Sequence, residues 1–140
     1  MKKKDCISVL IPDGHSHLAI PVINCLATSN QYKIYLLSNL KYTPMRFSRL
    51  VNHFSYAPKT ESDEDYINTI DDTVKNHGID FILPVSAGSI RKLILYKSKL
   101  KAAKKLMLLP ELHNFDTAND KGLLSQHLHT YDIPHPKGYL

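Results

Sequence analysis

The chain alternates between short apolar runs and longer stretches of mixed polarity. Residues 6–12, CISVLIP, form a continuous apolar run with β-branched members, the pattern of a strand buried on both faces. In the following DGHSHLAIPVINCLATSNQ, Ala19, Val22, Ile23, Leu26 and Ala27 fall on one helical face. Pro21 is tolerated only in a first turn, so this helix begins no earlier than about His17. YKIYLLS at 32–38 reads as a second strand, TPMRFSRLVN as a short helical or irregular excursion, and HFSYAP as a short third strand.

SDEDYINTIDDTVKNHG carries a full set of helix signals. Ser62 is placed to cap, Asp63, Glu64 and Asp65 suit the positive end of the dipole, and Gly78 suits the far end. Tyr66, Ile67, Ile70 and Val74 define its inner face. IDFILPVS at 79–86 predicts a fourth buried strand, a helix starts near Ala87, LMLLP at 106–110 is a fifth strand candidate, and a last helix is expected over 117–131. Strands alternating with helices imply βαβ units with right-handed crossovers. The expected class is α/β: a Rossmann-like three-layer sandwich with a mostly parallel sheet.

At 140 residues, with 43% hydrophobic and 22% charged residues, the chain has the composition of a globular domain able to bury its own core. No apolar run approaches the roughly 20 residues of a membrane span, and the apolar stretch after the basic start is broken by Pro12 and Asp13, unlike a signal peptide. A cytoplasmic location is expected, with no membrane partner. Cys6 and Cys25 are too few for a disulfide framework and read as buried free thiols. The net charge of +5 draws on the lysines at 2–4 and on RKLILYKSKLKAAKK at 91–105. Leu93, Ile94 and Leu100 can face inward there while the lysines face water, so this run is read as a solvated helix face, and no nucleic-acid partner is expected.

In an open parallel sheet, ligands bind beyond the carboxyl ends of the strands. Three loops qualify: PDGHSH, SNLKYT and PVSAGSI. Their candidate substrate-facing residues are Gly14, His15, Ser16, Ser86, Gly88 and Ser89: glycines for close backbone approach, hydroxyls near helix N-termini where amides favour anions. A dinucleotide site would need G-x-G-x-x-G and an acidic residue after the second strand; DGHSHLA has one glycine, and Ser38 and Asn39 occupy the acidic position. There is no phosphate-loop motif, no nucleophile elbow and no helical His pair at i, i+4, so no metal site and no catalytic residue is assigned.

Four stretches in order carry a family resemblance: VLIPDGHSHLAIPVINCLA, RFSRLVNHFSYAPKTESDEDYINTI, GIDFILPVSAGSI and NDKGLLSQHLHTYDIPHP. Together they resemble the N-terminal, pre-ATP-grasp domain of ATP-grasp enzymes, in the group similar to the carbamoyl-phosphate synthase large subunit. VSAGS departs from many relatives, which carry a glutamate soon after the strand-four proline. The resemblance implies a pre-ATP-grasp domain at 1–115. It also implies an Asp-Lys helix at 116–140, beginning the connection to an ATP-grasp core that these residues do not include. Lys121, in NDKG, takes the place of the family's nucleotide-contacting lysine.

The function implied is that of the substrate-side domain of a carboxylate–amine or carboxylate–thiol ligase working through an acyl phosphate. ATP and magnesium would serve the full enzyme, small carboxylate and amine substrates would be its partners, and no ligand is expected on these residues alone. The alternative is a stand-alone Rossmann-like module that binds a nucleotide or small acid. Oligomeric state stays open, with a homodimer among the options. The 140 residues alone are expected to show no ligase turnover with ATP, magnesium and a carboxylate–amine pair.

Overall fold

The computed structural model describes residues 6–59 and 62–136. The strands are β1 (Ile7–Ile11), β2 (Tyr32–Ser38), β3 (His53–Tyr56) and β4 (Phe81–Ile82), and the helices are α1 (Ala19–Ala27), α2 (Asp63–His77), α3 (Ala87–Leu95), α4 (Leu112–Asn119) and α5 (Lys121–Thr130). Among the described residues the strands form one all-parallel sheet in the order β3-β2-β1-β4. The α/β class and parallel sheet are those expected, and the chain divides into compact units ending at Leu108 and starting at Leu109.

The first three strands step in one direction across the sheet, and the fourth returns to the far side of β1. Right-handed crossovers then place α1 on one face and α2 on the other. Side-chain alternation agrees. Val9 and Ile11 meet Ile34 and Leu36, their register partners, in a cluster with Ala19 and Ile23 of α1. Leu10 points to the opposite face and is fully buried, as are Ile67 and Ile70 of α2 and Leu93 of α3. Each such aliphatic side chain contributes about 1.5–3 kcal/mol. The helix signals of α2 act as expected: the Ser62 hydroxyl accepts from the Glu64 amide at 3.1 Å, and Gly78 closes the helix at φ 60°.

Four expectations are corrected. The fourth strand is ladder-paired only at Phe81–Ile82, because Pro84 has no amide to donate and a carboxylate from β1's end captures the next two amides. The fifth strand does not form: Leu106 makes a single bridge to Ile82, and Leu108 is 92% exposed. The basic run is not one helix. α3 ends at Leu95, and the buried Asp71 carboxylate of α2 accepts from the amides of Lys101 (3.0 Å) and Ala102 (2.8 Å), fixing a turn there. The last helix is two. Asp120 caps α5 by accepting from the Gly122 and Leu123 amides at 2.8 and 2.9 Å, which breaks the run after Asn119. In addition, Cys25 is exposed on the outer side of α1 rather than buried. The lysines at 2–4 lie outside the described residues.

At the sheet's β3 edge, the His53 and His77 rings lie 4.2 Å apart, with the Tyr35 ring 5.8 and 5.5 Å from them. Burial, and then charge on His77, lowers the His53 imidazole from its usual 6.5. A depressed histidine takes up its proton more readily in the unfolded chain, so its contribution is present above pH 6.5 and is lost as pH falls through the folded value. Urea unfolding midpoints are expected to drop between pH 7 and pH 5. His53→Gln should flatten that slope, and an unchanged slope would remove His53 as its source.

Candidate functional site

Chain order reverses around β1, which has β2 on one side and β4 on the other. The loops leaving β1 and β4 therefore diverge at their carboxyl ends, the place where open parallel sheets leave a crevice. One side chain ties the two loops together. Asp13, fully buried, accepts through Oδ2 from the amides of Val85 (2.7 Å) and Ser86 (3.4 Å). Through Oδ1 it accepts from the hydroxyls of Ser86 (2.6 Å) and Ser89. Such charge-assisted bonds are about twice as strong as neutral ones, and they satisfy a carboxylate that would otherwise be costly to bury.

The Ser86 hydroxyl also accepts from the Ser89 amide at 3.2 Å, which makes Ser86 the cap of α3. Tyr66 of α2 donates to Ser89 at 3.2 Å, extending the chain of hydroxyls to a third element. Burial pushes the Tyr66 phenol well above its usual range, against the Ser89 hydrogen bond, which pulls it down. Tyr66 is therefore a neutral donor at physiological pH.

On the β2 side, closeness replaces charge. Gly14 donates to the Leu37 carbonyl at 2.8 Å, and its own carbonyl accepts from the buried Thr43 hydroxyl at 3.0 Å. A Cβ at Gly14 would stand 2.8 Å from Ser38 Cβ and 2.9 Å from Leu36 Cγ. Only glycine lets the first loop lie this close to the end of β2.

These contacts leave a pocket of about 400 Å³ over the ends of the strands. Its lining includes His15, Asn39, Lys59, Tyr66, Ser86, Gly88, Ser89 and Lys92, and no aspartate or glutamate is among its lining residues. Lys92 is paired with Asp63 at 2.5 Å and lies 5.4 Å from the Tyr66 ring centre. The first turn of α3 adds the partial positive charge of a helix N-terminus. The lining is polar and hydroxyl-rich and carries two lysines, Lys59 and the Asp63-paired Lys92, while the Asp13 carboxylate lies behind its serine wall.

Of the candidate residues, His15, Ser86, Gly88 and Ser89 line the pocket. Gly14 lies buried beneath it, and Ser16 serves its own loop, its hydroxyl accepting from the Leu18 amide at 3.2 Å. Lys121 is exposed in the first turn of α5, in the other compact unit. Asn39 belongs to the nominated SNLKYT loop, whereas Lys59 and Lys92 were not anticipated from sequence, and Tyr66 was assigned only to the core. Helical spacing was the available signal for Tyr66: it precedes buried Ile70 by one turn, with its hydroxyl at the helix's amino-terminal end.

Two glycine substitutions should part company. Gly14→Ala is expected to lower stability by about 1–3 kcal/mol through overpacking, whereas Gly88→Ala, in helix α3 with nothing within 4 Å of its Cβ, should raise it by about 0.4–1 kcal/mol. Asp13→Ala strands the Val85 and Ser86 amides and should cost about 3 kcal/mol or more in urea unfolding. Equal midpoints for all three variants and the wild type would contradict this description of the site.

No protein-family model and no curated protein matches the chain. Among solved structures it is similar to the biotin carboxylase domain dimer of Hydrogenobacter thermophilus 2-oxoglutarate carboxylase in complex with MgADP, ADP and bicarbonate, with TM-score 0.60 and 16% identity over 98% of this chain and 30% of that one. It is also similar to a bicarbonate-bound biotin carboxylase domain of thermophilic 2-oxoglutarate carboxylase, with TM-score 0.56 and 14% identity over 91% of this chain and 28% of that one. At these identities the likeness shows the fold, and the chain spans less than a third of the length of either neighbour.

Proposed function

We propose that the chain is the N-terminal, substrate-side domain of an ATP-grasp carboxylate–amine or carboxylate–thiol ligase, of the group similar to the carbamoyl-phosphate synthase large subunit. The observation that carries this reading is the lysine-bearing, hydroxyl-lined pocket at the switch point of the sheet. Support comes from the shared fold: one neighbour is described as a complex with MgADP and bicarbonate, and bicarbonate is a small carboxyl-class anion. In the proposed reaction a carboxylate oxygen attacks the γ-phosphorus of ATP and ADP leaves. The amine or thiol then attacks the acyl carbon and phosphate leaves. Phosphorylation matters because a bare carboxylate is a poor electrophile.

In this division of labour the chain orients the acid. Lys59, Lys92 and the first turn of α3 offset its charge, and Tyr66 and Ser89 keep the hydroxyl network fixed. No group of three or more His, Cys, Asp or Glu able to hold a metal ion occurs among the described residues. In this reading the chain's part is binding, and phosphoryl transfer with its magnesium belongs to the ATP-grasp core. The domain reading assigns 1–115 to the pre-ATP-grasp fold and 116–140 to the connection, with Lys121 beside nucleotide in the assembled enzyme. The stand-alone module reading draws on the pocket being built wholly within residues 12–92.

Two experiments test the acid site and the nucleotide contact. Small carboxylates such as acetate, succinate and malate should raise the melting temperature of the chain, and Lys92→Ala should weaken that rise by about tenfold in apparent affinity. No shift with any carboxylate would remove the pocket as the acid site under either reading. In the protein that carries the ATP-grasp core, Lys121→Ala should raise KM for ATP about tenfold. Unchanged KM and kcat would show that Lys121 does not serve the nucleotide.

A further inference from the structure

The connection from β2 to α2 has an unusual composition. Residues 39–59 contain Lys41, Arg46, Arg49 and Lys59 and not one aspartate or glutamate. The same segment exposes large apolar side chains: Tyr42 at 75%, Phe47 at 74%, Leu40 at 51% and Leu50 at 41%. These residues are not the core of a floppy loop. Pro44–Phe47 form a 3-10 turn, Met45 is buried among the α1-face core residues, and buried Thr43 is tied to the Gly14 carbonyl. Tyr42, Arg46 and Phe47 are thus presented outward from a pinned backbone.

Arg46 organises the exposed side chains. Its guanidinium lies 5.9 Å from the ring centres of Tyr42 and Phe47 and 5.5 Å from that of Phe54, and it donates to the Lys41 carbonyl at 2.9 Å. The Lys41 ammonium is 5.9 Å from the Tyr42 ring as well. Tyrosine, arginine and an adjacent aromatic ring on a pinned backbone form the kind of cluster that dominates protein interfaces.

We propose that this face docks an acidic protein segment carrying at least one apolar side chain. Charge complementarity selects the acidic partner, since three cations and no carboxylate face outward between Lys41 and Arg49. The four exposed apolar residues require that the partner also bring carbon to the contact. Single-stranded nucleic acid fits less well: cations already lie against the Tyr42 and Phe47 rings where bases would stack, and Leu40 and Leu50 offer bases nothing. An anionic membrane would gain only about 1 kcal/mol from each of these cations, and lasting attachment takes a second anchor. The proposal is independent of the pocket, since none of the residues from Leu40 to Leu50 lines that cavity.

The test is selection from a random dodecapeptide library against the 140-residue chain, with affinities of enriched peptides measured by fluorescence anisotropy. Enriched peptides should combine aspartate or glutamate with leucine or an aromatic residue. Binding should weaken about tenfold in Tyr42→Ser or Phe47→Ser, and comparably in Arg49→Glu. All three side chains are exposed, and unchanged circular dichroism confirms the fold of each variant. No enrichment, peptides without carboxylates, or affinities indifferent to all three substitutions would overturn the proposal. So would tighter binding of a twelve-nucleotide oligouridylate, or of phosphatidylserine vesicles, with the same residue dependence.

Discussion

The arrangement at the top of the sheet depends on one buried carboxylate. Asp13 stands where chain order reverses, and without a connection the loops after β1 and β4 would separate there. Its two oxygens accept from two backbone amides and two serine hydroxyls, all contributed by the segment from Val85 to Ser89. That single contact ends the β4 ladder, sets the start of α3 and holds the Ser86 and Ser89 hydroxyls at the pocket wall. The same device recurs in the fold: Asp80 accepts from the Ser8 amide at 2.8 Å, and Asp71 fixes the turn after α3. In each case a carboxylate takes over where regular pairing stops.

Legibility in the sequence followed the range of the interaction. Elements set by local pattern were readable. β2 spans Tyr32–Ser38 as the apolar run indicated, and α2 runs between its Ser62 cap and Gly78. Elements decided by distant partners were not. Nothing local to LMLLP reveals that its pairing with β4 stops at the Leu106 bridge and the Met107 amide, and nothing local to the 91–105 run reveals Asp71, which comes from another helix. The break between α4 and α5 was within reach, since Asp120 is a strong capping type, but the neighbouring Thr117 and Asn119 competed for that role.

The site shows the same division. Loops at the carboxyl ends of parallel strands follow from topology, and four of the six candidate residues line the pocket. Gly14 acts from below, through the space it leaves free against Ser38 and Leu36. Tyr66 and Lys92 reach the pocket from α2 and α3, a convergence that no linear spacing announces. The fold that results is similar to that of biotin carboxylase domains.

The central claim is that Asp13 holds the β1 and β4 loops together as part of the folded framework. The most direct measurement is amide hydrogen exchange of the wild-type chain, followed residue by residue by NMR. Val85, whose amide meets only the Asp13 carboxylate, should be protected to nearly the level of Leu83, whose amide donates to the Leu10 carbonyl at 2.8 Å. Val85 exchanging as freely as an exposed loop amide while Leu83 stays protected would contradict the account.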